Sequence, residues 1–161
     1  MRTLSRKTQY TLRALYSLAR SYGGGPTLIA KIAKEESIPQ DFLEAILLNL
    51  KREGLVESKK GKGGGYSLSQ APETVTLGAV IRVTEGPLAP LPCASETAFR
   101  KCDECVDIRS CGTRMVMREV RDAIAGILDS TTLAQVCHRV DEARAEMETK
   151  AHDAEALMYY I

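Results

Sequence analysis

The chain predicts a mostly α-helical fold in which three helices precede a small β-hairpin and a long helix follows it. Three observations carry that reading. Apolar residues recur at helical spacing in three segments before Gly54. A basic glycine-rich run, "GKGGGY", separates two short strand-like stretches. A heptad-like apolar series follows a cysteine-rich stretch.

At 161 residues the chain makes one domain, or a small domain with an extension. Its 44% hydrophobic and 27% charged residues are an ordinary soluble composition. No apolar run is long enough to cross a bilayer, so no membrane partner is expected. The charged start, "MRTLSRKTQY", has no apolar stretch behind it and does not read as a secretory signal. These features predict a cytoplasmic protein, in which disulfides are usually transient. Charge is divided unevenly: residues 1–66 hold 12 Lys/Arg against 6 Asp/Glu, and residues 67–161 hold 10 against 15. A basic first part joined to an acidic second part suggests a polyanion-binding module with something attached.

The first helix is expected from Ser5 to Tyr22, with Leu12, Leu15, Tyr16 and Ala19 on one face. "GGGP" at 23–26 ends it. Thr27 is placed to cap a second helix whose inner face is Leu28, Ile29, Ile32 and Ala33. "SIPQ" at 37–40 reads as a turn, with Pro39 near the start of a third helix that runs to about Glu53. Leu43, Ile46, Leu47 and Leu50 line its core face, Gln40, Asp41, Glu44, Ala45 and Asn49 lie on other faces, and Gly54 stops it. "LVESKK" and "SLS" then flank the glycine-rich tip as a hairpin. The tip lacks the G-x-x-x-x-G-K-[ST] order and no helix pattern follows, so it is not a phosphate loop.

A short helix, a turn, a longer helix and a basic hairpin, over residues 1–75, read as a winged helix-turn-helix. Such a unit lays the start of its third helix in the major groove of double-stranded DNA. Gln40, Asp41 and Glu44 are therefore the candidate base readers, and Lys59, Lys60 and Lys62 on the wing the candidate phosphate contacts. Ser5, Lys7 and Tyr66 complete the candidate DNA-binding set.

Residues 76–91 are expected to form a linking helix and turn, 92–111 a cysteine-rich loop, 112–148 a dimerisation helix and a C-terminal helix, and 149–161 a mobile tail. Thr113, Val116, Val120, Ala123 and Ile127 step by three and four, flanked by Arg118, Glu119, Arg121 and Asp122. A core helix and a helix packed on a second copy share that pattern.

Four of the five cysteines, Cys93, Cys102, Cys105 and Cys111, form C-x8-C-x2-C-x5-C. The spacing matches neither a paired-CxxC zinc ribbon nor a ferredoxin. It leaves metal ligation, redox switching and structural thiols all open. The approach to the loop, with Pro87, Pro90 and Pro92 and few large apolar groups, calls for something to organise it, and a thiolate-bound metal would do so. Lys101 and Arg109 offset negative charge there. Cys111 stands at the mouth of the long helix, where the helix N-terminus favours a thiolate. Cys137 beside His138 suggests a nucleophile only superficially, because helix neighbours point in different directions. His152 has no partner motif. No nucleotide fingerprint or catalytic dyad is present, so neither an enzyme nor a small-molecule substrate is expected.

"LSRKTQYTLRALYSLA", "IPQDFLEAILLNLKREGLVESKKGKGGGYSLS", "TLGAVIRVTEG" and the cysteine loop followed by "MREVRDAIAGILDSTTLAQV" together resemble the Rrf-two family of bacterial winged-helix regulators, with its IscR-like, NsrR-like and RirA-like members. The resemblance runs from Met1 to about Val136. It implies a homodimeric repressor of near-palindromic promoter DNA, often controlled by an iron–sulfur cluster (2Fe-2S or 4Fe-4S). It also implies that the seam of the long helix faces the partner subunit. By that likeness Cys93, Cys105 and Cys111 are the ligands, with Cys102 an alternate or fourth. IscR-like proteins place a histidine three residues after the last cysteine, where this chain has Arg114, which is no ordinary ligand. NsrR-like proteins recruit an acidic side chain from the first helix, and the corresponding position here is Gln9. The fourth ligand therefore departs from both patterns. A cluster-free thiol-based or partner-controlled repressor is the alternative, and a zinc-stabilised interaction adaptor a third.

Overall fold

The structure is a computed structural model that describes residues 4–158, with side chains described through Lys150. Helix α1 (Arg6–Arg20) begins where Ser5 is extended and its side chain accepts from the Thr8 N–H at 3.2 Å. Its buried face combines Ala14, Leu15 and Leu18 with Thr8, Thr11 and Ser17. Leu12, Tyr16 and Ala19 are only partly buried against the core. The true inner face is thus turned from the predicted one, because small hydroxyl residues pack inside without registering in an apolar count.

Helix α2 (Ile29–Glu35) departs from expectation. Thr27 does not cap it. Thr27 instead pairs with Tyr66 through both backbone groups, at 2.8 and 2.9 Å, and its hydroxyl lies 3.0 Å from Ser21 Oγ. Held against the hairpin, Thr27 is strand-like, and the helix starts later. That turns Leu28 outward to 61% exposure, while Ile32 stays fully buried. Helix α3 (Gln40–Arg52) follows Pro39 and buries Leu43, Ile46, Leu47 and Leu50, the face the spacing marks. Gly54, at φ 72°, lets the chain leave the helix in the left-handed region.

Strands β1 (Val56–Lys59) and β2 (Gly65–Leu68) pair antiparallel, from Val56 opposite Leu68 to Lys59 opposite Gly65. A Cβ at Gly65 would overlap the Thr27 carbonyl, so this glycine is required by close backbone approach.

Helix α4 (Leu77–Glu85) is capped by Thr76, whose hydroxyl accepts from the Ala79 N–H at 3.2 Å. A 3-10 turn at Pro92–Ala94 opens the cysteine loop. Helices α5 (Gly112–Ser130) and α6 (Leu133–Met158) follow. Their junction docks beside the entry to α4: Leu77 N–H donates to Thr131 O and Leu133 N–H to Val75 O, each at 2.9 Å. Leu133 joins the core shared by α1, α2, α3 and the hairpin. α6 continues through Met158 into the stretch expected as a tail; the His152 side chain and residues 159–161 lie outside the described residues. No described helix is long and apolar enough to cross a membrane.

The predicted seam of α5 is not folded into this core. Val116 is 52% and Ile127 67% exposed, and Met115 joins them at the surface.

Candidate DNA-binding face and thiol loop

Gln40, Asp41 and Glu44 are exposed in the first turns of α3. Phe42, among them, meets Tyr10 of α1 edge-on, with ring centroids 5.6 Å apart. The start of α3 therefore lies against the first half of α1, where Ser5 and Lys7 are exposed. α2 is fixed to α1 by charge: the Arg13 guanidinium donates to the Glu36 carbonyl, and Arg20 lies 3.8 Å from the Glu36 carboxylate. The wing is tethered to the other end of α3 by Lys51 Nζ, 2.6 Å from Ser58 Oγ. Lys59, Lys60 and Lys62 are exposed at its tip. Tyr66 is half-buried, packed on the core behind the wing, with its backbone committed to Thr27.

The cysteine loop is unequal in burial. Cys93 is 3% exposed, Cys105 and Cys111 are half-buried, and Cys102 is exposed. Of the loop thiols, Cys102 and Cys111 are the ones whose charge is felt at Cys93. Burial pushes the Cys93 thiol up, and its two thiol neighbours add to the rise. Cys105 N–H donates to Cys102 O at 3.2 Å, closing a turn between those two residues. Among the described residues no three Cys, His, Asp or Glu side chains converge closely enough to hold a metal ion.

Two arginines of α5 bind this loop, and sequence reasoning assigned neither of them that task. Arg114 Nε donates to the Cys93 carbonyl at 2.8 Å, and its guanidinium lies 6.0 Å from the Phe99 ring centre. Arg121 is predicted to flank the seam. It is 8% exposed, with Nη1 donating to the Ala94 carbonyl at 2.7 Å and Nη2 3.2 Å from Glu96 Oε1. Its charge is matched further by Asp122. A guanidinium has five donors, and here a backbone carbonyl distant in sequence satisfies one of them. These bonds tie the start of the loop to α5.

Other predicted roles resolve simply. Gln9 Nε2 donates to the Leu4 carbonyl at 2.9 Å. Arg109 is drawn to Asp107, 3.7 Å away. The Arg109 N–H and the Ser110 hydroxyl hold the Asp107 carboxyl below its usual range. Cys137 packs half-buried with Sγ 3.8 Å from the Tyr16 carbonyl, and burial pushes its thiol up. His138 turns to Glu142 at 3.2 Å, so no Cys–His dyad forms.

A three-helix unit with a β-wing, joined to a cysteine loop and a long helix, is also what the comparisons match. Residues 4–139 match the family described as Rrf2, iron-dependent transcriptional regulator. The chain belongs to the Rrf2 family. An Rrf2-like HTH-type regulator of Rhodobacter capsulatus is 41% identical over 133 residues, 81% of this chain and 89% of its own length. CymR of Bacillus subtilis is 32% identical over 158 residues, 98% of this chain and 99% of its own. The solved structure of CymR, the global cysteine regulator of B. subtilis, matches with a TM-score of 0.73 at 32% identity, covering 86% of this chain and 98% of that one. IscR of T. potens matches with a TM-score of 0.69 at 32% identity, covering 88% and 90%. This Rrf2 chain is a winged-helix, DNA-binding transcriptional regulator of a family not known to be enzymatic.

Proposed function

We propose that this Rrf2 regulator acts in the cytoplasm as a homodimeric repressor of near-palindromic promoter DNA, with the cysteine loop as its sensory element. The observation that carries the reading is that the Cys93 turn is bonded to α5, the helix whose apolar seam is left exposed. A second copy covering Val116, Val120 and Ile127 would link the loop's state to the spacing of two DNA-binding units. Gln40, Asp41 and Glu44 read base edges; Ser5, Lys7, Lys59, Lys60 and Lys62 meet the backbone; Tyr66 sets the wing from behind.

The donor set suits an iron–sulfur cluster by its chemistry: four thiols lie in one loop, Cys93, Cys102, Cys105 and Cys111. Cys93, Cys102, Cys105 and Cys111 would hold it once the 102–111 segment closes on Cys93. Bound there, a cluster supplies a redox- and iron-dependent link between the loop segments. The effect of Cys102 on the Cys93 thiol favours a second reading, a cluster-free thiol switch in which these two oxidise to a disulfide.

Anaerobic purification followed by iron and sulfide analysis separates the two. The cluster reading expects a coloured protein, and loss of colour in Cys93→Ser, Cys102→Ser and Cys111→Ser, with Cys137→Ser unchanged. Colourless, iron-free protein that gains a Cys93–Cys102 disulfide with peroxide would support the thiol switch instead.

A further inference from the structure

Of the four loop cysteines Cys93 alone is buried, and guanidinium groups hold the backbone carbonyls of Cys93 and Ala94. Arg114 and Arg121 lie about two turns apart on α5, on one side of the helix. They meet two successive carbonyls, at 2.8 and 2.7 Å. Arg121 is nearly inaccessible to water, so its charge needs the Ala94 carbonyl, Glu96 and Asp122 to offset desolvation. That makes the attachment specific: the loop supplies a carbonyl and a carboxylate to a cation that α5 has buried. Arg114, stacked beside Phe99, adds a second anchor within the same loop. By contrast, Cys102 is exposed, and the segment around it has Val106 fully exposed.

We propose that Arg114 and Arg121 are the positioning residues of the thiol site, holding Cys93 on α5 before any metal or oxidant arrives. Cys93 is then the fixed thiol, and Cys102, Cys105 and Cys111 are the ones that move to it. This rests on the loop being the sensory element. It adds that whatever joins Cys102 to Cys93 reaches α5 through these two guanidinium groups.

The test uses the full-length protein, reduced and chelator-treated, with iodoacetamide as probe and peptide masses giving the labelling rate at each cysteine. In the wild type Cys93 should react at about a tenth of the Cys102 rate or slower, because it is shielded. Arg114→Gln and Arg121→Gln should each bring Cys93 toward the Cys102 rate while Cys137, half-buried on α6, keeps its own. Arg114→Lys, which retains a donor, should restore most of the protection. Cys93 reacting as fast as Cys102 in the wild type, or staying protected in both Gln variants, would overturn the proposal. So would Cys137 accelerating in step with Cys93, which marks general loosening rather than positioning. Failure of the sensory reading shows elsewhere: DNA affinity of the wild type would not respond to metal loading or peroxide, whatever the labelling rates.

Discussion

Thr8 donates its hydroxyl to Glu85 at 2.5 Å, joining the start of α1 to the last residue of α4. The same carboxylate oxygen accepts from the Ser5 N–H at 2.7 Å. Ser5 belongs to the proposed DNA face and Glu85 ends the helix that leads into the cysteine loop, so the two functional regions meet at one carboxylate. Thr11, one turn along α1, is as fully buried as Thr8, but its hydroxyl has no hydrogen-bond partner among the described residues. Opposite outcomes are expected from one substitution. Thr8→Val should cost about 1–2 kcal/mol by urea denaturation, and Thr11→Val should be neutral or stabilising by about 1 kcal/mol. Equal losses at both sites would show that neither hydroxyl is distinguished by its bonding.

Asp129 of α5 binds Arg82 of α4 through both oxygens, at 2.5 and 2.8 Å. That hydrogen-bonded pairing holds the Asp129 carboxyl below its ordinary value, the larger effect over a small desolvation rise. The folded state therefore binds this proton less readily than the unfolded chain. The contribution is complete above about pH 4 and is lost as pH falls through the lowered value. The pair is partly exposed, so about 0.5 kcal/mol is at stake. Asp129→Asn should lower stability at pH 7 by that amount and show a shallower acid-side decline; parallel curves for the two proteins would refute the pairing.

The wing lysines and α3 should separate affinity from specificity. Lys60→Ala or Lys62→Ala is expected to weaken binding to specific and random duplexes alike, with a salt slope lower by about one per lost phosphate contact. Glu44→Ala should instead reduce the specific-to-random ratio, by about 1–3 kcal/mol if its carboxylate accepts from a cytosine amino group. An unchanged ratio would make Glu44 a solvated surface charge.

Much of the helical unit was legible because its apolar residues are local and periodic. Leu43, Ile46, Leu47 and Leu50 were marked by spacing and are all buried. The glycine-rich tip was legible as a hairpin, but its reason, the approach of Gly65 to Thr27, depends on residues far apart in sequence. The same pairing hid the start of α2, since a threonine before an apolar run reads as a cap unless a strand claims its backbone. Arg121 was illegible for another cause: charge implies solvent in a sequence, and only the fold shows the carbonyl of Ala94 waiting for it. Among the cysteines, spacing alone could not choose between Cys102 and Cys105. The fold distinguishes them by burial alone: Cys102 is exposed and Cys105 half-buried.

The central claim, a promoter-binding dimer governed by its cysteine loop, is tested most directly by one titration. Duplexes selected from a random pool by the full-length protein would be titrated with metal-free reduced, anaerobically reconstituted, and peroxide-treated protein, for wild type and Cys93→Ser. The account predicts a near-palindromic selected site whose wild-type affinity differs between at least two of these states, and no such difference in Cys93→Ser. Failure to select any site, or one affinity across every state of the wild type, would contradict it.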